Sequence, residues 1–516
     1  MPKKNKWAHP LGEENALSVE AVNDQLATET FGGKIHVEWD PTAAVTPIGQ
    51  LPFFIQFLKV GGLFEPWVAS CPLRYQSNNA PDKVDVLGSF LLSILSGHNR
   101  YAHMASLMGD LVNTQMLGMS KAVSDDSARR ALKKMDEEEG IDWLQNHLQR
   151  SYEPLLTQPW ILDSDVTVKP LYGHQEGAEV GYNPHKPGRP SHTYHTYMIA
   201  NLRLVLDVEV KPGTDTAACH SSPGLWELLD RLPRSLWPQF IRGDCDWGVE
   251  DVMAMAEEKQ LGYLFKLRKS KYVKQLINKH HSLGEWDYVI DGWEANDDQL
   301  KLAAWSNERR VIIVRRRLPK GAVLALENIK EGQQAFGFLN DAEDIRAFEY
   351  AVLVTSLDDE ALTIVRHYRD RADCENNFDE IKNHWGWGGF TTTDIKPCRF
   401  IARIIALIYN WWNIFARLAN PDKHMEAITS RPLLLSSVGR LTETGRKKTM
   451  TITSTHAQAD YIQETFERIQ RFFNQLKTSA PQLTVTERWC RILSEAMKKY
   501  LGNSLLKPPD EGFLPT

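Results

Sequence analysis

Cysteine is scarce in this chain and scattered. Its six cysteines (Cys71, Cys219, Cys245, Cys374, Cys398 and Cys490) form no CxxC pair. That argues against a zinc ribbon and a disulfide framework, and it fits a reducing cytosol. Cationic excess is lacking too: 60 Lys and Arg stand against 66 Asp and Glu, a formal net charge of −6. A non-specific nucleic-acid coat held by bulk positive charge is therefore disfavoured. The most apolar helix-like run, FIARIIALIYNWWNIFARLA, is broken by Arg403, Asn410 and Asn413, with Arg417 near its end. It reads as a core or interface helix, not a membrane span. The opening MPKKNKW is basic but has no apolar stretch behind it, so no secretory signal is expected. Internal repeats and long low-complexity segments are also missing.

What is present is 516 residues, 42% hydrophobic and 24% charged, the composition of a globular chain of several domains. Residues 1–155 read as mostly helical after a polar tail. DVLGSFLLSILSG has helical apolar spacing and ends in glycine. SDDSARRALKKMDEEE opens on Ser124 as an N-cap with acids in the first turn. With YAHMASLMGDLV it forms either a helix-turn-helix or part of an ordinary bundle. From 158 the texture becomes strand-like. WILDSDVTVKP, two strands in HTYMIANLRLVLDVEVKPG, a helix in SSPGLWELLDRLP, the strand PQFIRGDC, the helix GVEDVMAMAEEKQ and the strand GYLFKLRKS follow in turn. The order is β-β-β-α-β-α-β. The expected last helix comes only after about 95 residues that read as β-rich (EWDYVIDGW, QLKLAAW, RRVIIVRRRL, FEYAVLVTS). After NHWGWGGF, the apolar helix and further helices close the chain, and the tail KPPDEGFLPT reads as disordered.

The acidic residues carry the chemistry. Asp163 and Asp165 alternate onto one face of the first strand, and Asp244 ends the fourth. A carboxylate inside an apolar strand costs several kcal/mol unless it is paired or bound to metal. Glu375 sits in YRDRADCENNFDEIK, where Tyr368, Arg371 and Lys382 fall within roughly 40° of it on a helical wheel. Such a stripe is a solvated face, or a metal ligand between two phosphate grips. Two strand-borne Asp and a helix-borne Glu make an oxygen-only site that selects Mg²⁺ or Mn²⁺. Two ions about 4 Å apart would suit phosphodiester chemistry. The β-rich stretch supports this. Residues 266–320 hold 13 Lys and Arg against 7 Asp and Glu, interleaved with Trp286, Tyr288, Trp293 and Trp305. Lys266, Arg268, Lys269 and the run Arg315, Arg316, Arg317 are its candidate DNA contacts.

On these residues the chain resembles the DDE transposases of bacterial insertion sequences. Their Y-(2)-R-(3)-E-(6)-K signature is matched at Tyr368, Arg371, Glu375 and Lys382. It marks the branch with a β-rich insertion between the second Asp and the Glu. The family's DxT block is similar to DVT here and points to Asp165 over Asp163; RGDCDWG points to Asp244 over Asp246. YGHQEG and WGWGGF resemble the insertion sequence 1380-type group. The resemblance covers roughly residues 155–420. It implies an α/β fold with a ribonuclease H-like catalytic core, a mixed five-stranded sheet with helices, interrupted by the insertion and flanked by helical terminal regions. The expected division is a DNA-binding region at 1–155, core at 156–266, insertion at 267–361, core with the Glu helix at 362–420, and a helical region at 421–516.

The implied catalytic and metal residues are Asp165, Asp244 and Glu375, with two Mg²⁺ (Mn²⁺ substituting). The implied partners are double-stranded transposon-end and target DNA and a second subunit, in a bacterial cytoplasm without membrane attachment. Relatives stack an expelled base on an aromatic of the insertion. Phe348 and Tyr350 are the candidates by position, and the alternative is that both fill the insertion's own core. Three competing readings keep some of these features: a metal-dependent nuclease without strand transfer, a catalytically silent DNA-binding protein, and a two-carboxylate glycosidase. The cationic flanks of Glu375 favour phosphates over the last.

Overall fold

The computed structural model describes residues 27–77, 79–183, 186–215, 222–319, 347–478 and 481–508. The basic N-terminal tail, Cys219 and the extreme C-terminus lie outside them. A hairpin, β1 (Ala27–Thr30) and β2 (Gly33–His36), and a short β3 (Val45–Thr46) come first. Helices α1 (Leu51–Val60), α2 (Phe64–Ala69), α3 (Lys83–Leu95), α4 (Leu111–Met116), α5 (Asp125–Lys134) and α6 (Glu137–Tyr152) follow. The segment from Ser124 is two helices, each with its own cap. The Ser124 hydroxyl accepts from the Ser127 amide, and the Asp136 carboxylate accepts from the Glu139 amide. The stretch expected to open a helix-turn-helix is a 3₁₀ segment, Tyr101–Leu107, packed on α5. A bundle-like arrangement describes this region.

Next come β4 (Ile161–Pro170), β5 (Ser191–Ile199), β6 (Leu204–Pro212), α7 (Ser222–Asp230), β7 (Phe240–Gly243), α8 (Glu250–Glu258), β8 (Gly262–Lys266) and α9 (Lys271–Leu283). Then β9 (Asp287–Ile290), β10 (Trp293–Leu300), β11 (Arg309–Arg317), β12 (Phe348–Thr355), α10 (Ala361–Arg369), α11 (Ala372–His384) and α12 (Ile395–Ala419). The chain ends with α13 (Ala427–Leu434), β13 (Val438–Thr444), β14 (Lys447–Thr453), α14 (Ala459–Thr478) and α15 (Val485–Ala496).

One nine-stranded mixed sheet organises the centre, in the order β6-β5-β4-β7-β8-β12-β11-β10-β9. β4, β7 and β8 are parallel neighbours; the other pairs are antiparallel. The expectation is a mixed five-stranded sheet; β4 to β8 instead form part of this nine-stranded one. The insertion differs from expectation in two ways. Its strands do not form a body of their own: β12 pairs with β8, Leu353 opposite Lys266, and carries the sheet onward. The run Val311–Val314 is buried on both faces, which explains its unbroken apolar sequence. The insertion also opens with a helix, α9. The Ser270 hydroxyl caps it by accepting from the Val273 amide, and Gly284 at φ 72° ends it. The C-terminal region departs as well, since β13 and β14 interrupt its helices.

α12 is the central core helix, and among the described residues no helix is long and apolar enough to cross a membrane. Its polar interruptions seal the edge strand β6. Asn410 accepts from the Val205 amide and donates to the Val205 carbonyl, both at 2.8 Å. Arg403 pairs with Asp207 at 2.8 Å, and Asn413 donates to the carbonyls of Leu202 and Arg203.

Candidate active site

The parallel pairing of β4 with β7 sets the site. Ile161, Leu162 and Asp163 lie opposite Phe240, Ile241 and Arg242. Continuing that register two residues brings Asp165 opposite Asp244, just past the end of β7. The two aspartates of β4 have different surroundings. Asp163 takes a two-pronged grip from Arg242, Nε to Oδ1 at 2.5 Å and Nη2 to Oδ2 at 2.6 Å, with the side chains 2% and 0% exposed. Arg242 also donates to the His367 carbonyl. Asp163 is thus consumed by a buried ion pair. Sequence reading missed this pair, although Arg242, two residues before Asp244, was its visible signal.

The single helix expected over 368–382 is two helices. α10 ends at Arg369, and α11 starts at Ala372. Across the join, amides bond three residues back, Arg371 to the Tyr368 carbonyl and Asp373 to that of Asp370. Tyr368 therefore lies on the helix before the one that carries Glu375 and Lys382, while Arg371, at the N-cap of that second helix, still faces Glu375 one turn on. Arg371 turns inward as the first residue before α11. Its Nη2 donates to Asp165 Oδ2 at 2.6 Å and its Nη1 to Glu375 Oε1 at 2.8 Å. One guanidinium so joins carboxylates from β4 and α11. Arg371 is buried, and its Nε has no hydrogen-bond partner among the described residues; Glu375 is 63% exposed.

Electrostatics follow from this crowding. Burial pushes the Asp165 carboxyl up to about 6; Asp244 and Glu375 add to the rise, and Arg371 opposes it. Asp244 is also raised, chiefly by burial; the Asp246 amide that it accepts from and Arg371 oppose the rise, and the Asp246 charge adds to it. Carboxylates that repel one another, with a buried arginine as counter-charge, form a locus suited to further cations. The donors are oxygens, which fits a hard divalent ion. Single ligand atoms of Asp244, Cys245 and Asp246 also lie within 4.8 Å of one another. Asp246 itself accepts from Arg268 at 2.5 Å, which brings that residue to the rim of the site.

The other expected contacts divide. Lys382 donates from Nζ to the Val168 carbonyl of β4 at 2.7 Å, and Tyr368 packs half-buried on the side cluster of Ile364, Val365 and Leu353. Much of the basic patch is spent internally. Arg309 pairs with Glu250 and Glu257, Arg310 with Asp297, Arg315 with Glu294, and Arg316 with Glu349. Arg315 also lies over Trp286 and Phe348, at 4.1 and 4.4 Å from the ring centres. Lys269 and Arg317 are exposed and Lys266 is half-buried. Tyr350 is buried and shares a hydrogen bond of 2.8 Å with His281; Phe348 packs beside it.

The family model described as "Transposase DDE domain group 1" matches residues 72–474. The chain belongs to this family of DDE transposases. No curated protein matches it. Among solved structures, a piggyBac transposase synaptic complex with hairpin DNA is similar at 12% identity, covering 90% of this chain and 88% of that one, with a TM-score of 0.33. In this transposase the family match spans β4, which carries Asp165, the end of β7, where Asp244 follows, and α11, which carries Glu375.

Proposed function

We propose that this DDE transposase binds the terminal inverted repeats of a mobile element, cleaves phosphodiester bonds at its ends and joins them to target DNA. The observation that carries the reading is the Arg371 bridge between Asp165 and Glu375, beside Asp244, in a sheet order we read as ribonuclease H-like. Asp165, Asp244 and Glu375 would hold divalent ions, two Mg²⁺ or Mn²⁺, which supply a nucleophilic oxygen and neutralise charge on the leaving one. The chain's own residues position the DNA. A phosphate competing for the Arg371 guanidinium would draw it from Glu375 and leave that carboxylate free to ligate. Tyr368 and Lys382 would flank the same strand, and Lys266, Arg268 and Lys269 would receive the backbone at the rim. The internal pairing of Arg315 and Arg316 leaves Arg317 the more available of that run. We further read the chain as a member of the insertion sequence 1380-type group, acting as a homodimer on two ends in a bacterial cytoplasm.

The test is incubation with labelled end-sequence duplex, a target plasmid and Mg²⁺. Joined products support the reading. Cut ends without joining identify a nuclease of the same fold, and a mobility shift without cutting identifies a binding protein.

A further inference from the structure

The β13–β14 ribbon has no part in the candidate site. Its base is fixed. Gly439 and Arg440 pair with Thr46 and Val45 of β3, and the Thr46 hydroxyl donates to Asp110 at 2.6 Å. The backbones meet so closely that a Cβ on Gly49 would lie 2.7 Å from the Gly439 Cα. Beyond Leu441 the ribbon leaves this support, and residues 442–449 are all exposed. At about 3.4 Å per residue, the free part extends roughly 10 Å to its turn. An unsupported two-stranded ribbon is marginal in water, so its persistence needs a rigid base and its exposure calls for an occupant.

The two faces of the ribbon differ in chemistry. Cross-strand partners Gly439–Ile452 and Leu441–Met450 form a half-buried apolar base on one face, with Glu443 paired to Lys448 beyond them. The opposite face carries Arg440, Thr442, Thr444, Lys447, Thr449 and Thr451. All six are exposed, and beyond Val438 and Thr453 at its base that face bears hydroxyls and cations with no carboxylate of the ribbon's own, Asp40 lying near Arg440. Across 438–453 there are four Lys and Arg and one Glu, within a chain of net charge −6. Hydroxyls and cations are donors to phosphate oxygens, and a two-stranded ribbon fits the major groove of a duplex, about 12 Å wide.

We propose that this threonine-lined, cationic face is a second DNA-contacting surface, an arm that lies against the phosphate backbone of duplex DNA. The proposal rests on the DNA-binding function above. It is tested on the full chain with end-sequence and unrelated duplexes, by fluorescence anisotropy between 50 and 200 mM salt. At about 0.9 per phosphate contact, R440Q/R446Q/K447Q is expected to flatten the slope of log affinity against log salt by about 3, on both duplexes alike. A photo-crosslinking residue at Thr449 is expected to capture DNA, which keeps the proposal testable if the triple variant misfolds. An unchanged slope in a folded variant, or crosslinking at Thr449 to a second copy of the chain in place of DNA, overturns the arm while the wild-type protein still binds and cuts. Failure of the wild-type protein to bind any duplex overturns the proposed function, and the arm with it.

Discussion

Asp163 and Asp165 stand two residues apart on one strand and each pairs with a buried arginine, yet replacing them should cost stability unequally. Asp163→Asn leaves Arg242 fully buried without its anion. Removing one partner of such a pair costs about 3–5 kcal/mol. With an unfolding entropy of about 2.1 cal/mol/K per residue, a chain of 516 residues unfolding as one unit has roughly 1.1 kcal/mol/K. The expected fall in Tm is therefore about 3–5 °C. Replacing both partners with apolar groups, D163L/R242M, should recover most of it, because no unpaired charge remains.

Asp165→Asn should cost less in metal-free protein, because the buried Arg371 keeps Glu375 as an anion and a carboxylate that is costly to ionise is gone. The Asp165 carboxyl is raised to about 6 in the fold, against an ordinary value of 3.8. An acid raised on folding stabilises the native state only while protonated. Its ionisation therefore costs stability progressively from pH about 4 to 6, and the whole cost is felt above that. Two units correspond to about 3 kcal/mol at most, since the side chain is about one-fifth exposed. Differential scanning fluorimetry with a chelator, at pH 5 and pH 7.5, reads both effects. D165N should lose less at pH 7.5 than at pH 5, while its cleavage activity is lost. Equal destabilisation by D163N and D165N, or a D163N variant as stable as wild type, would refute the assignment of a structural and a ligating role to the two residues.

Four further outcomes follow from the same geometry. Mn²⁺ or Mg²⁺ at about 100 times its Kd should stabilise the wild type by about 2.7 kcal/mol and leave D165N unmoved in the same thermal assay. Arg371→Gln removes the group that opposes the rise of Asp165, so the acid limb of the pH–rate profile for end cleavage should move to higher pH. Asn410→Leu strands the buried amide and carbonyl of Val205, at about 1–3 kcal/mol each, readable by chemical denaturation and by faster hydrogen exchange at Val205. Phe348→Ala with Tyr350→Ala should lower stability and depress both strand cleavages together on nicked and intact ends, because these rings pack with Trp286 and His281.

The strands and helices of the core were legible because each signal was local. WILDSDVTVKP and RRVIIVRRRL are β-branched runs with clear stops, and the Ser124 cap stood at its predicted helix start. What was hidden depended on pairing across the chain. The β8 edge could accept β12, a fact held by no short segment, so the insertion read as a separate body. α9 had its signals in Ser270 and Gly284, but charged residues obscured its apolar stripe. The break at Asp370–Arg371 involves no proline or glycine, and both residues keep helical dihedrals. What Arg371 reaches there, Asp165 on β4, lies 206 residues away and could not be read from the local stretch. The net excess of the basic patch was likewise only a partial guide, because Glu250 and Glu257 of α8 hold Arg309 and Glu294 holds Arg315.

The extension of the sheet has a consequence for the candidate site. β12 returns beside β8 and leads directly into α10, which packs Ile364 and Val365 on the sheet with Phe240, Leu264 and Ile312. The helix that precedes Glu375 is thus seated by the insertion's strands and not by a flexible tether. Arg242 completes the seating. It holds Asp163 of β4 with two nitrogens and the His367 carbonyl, near the end of α10, with the third. Four residues beyond His367, Arg371 reaches back to Asp165 on that same strand. β4, β7 and the α10–α11 join are therefore tied at two levels, by Arg242 to Asp163 and by Arg371 to Asp165. Asp163 is on this account a positioning residue: it fixes the strand that carries Asp165 against the helix that leads to Glu375.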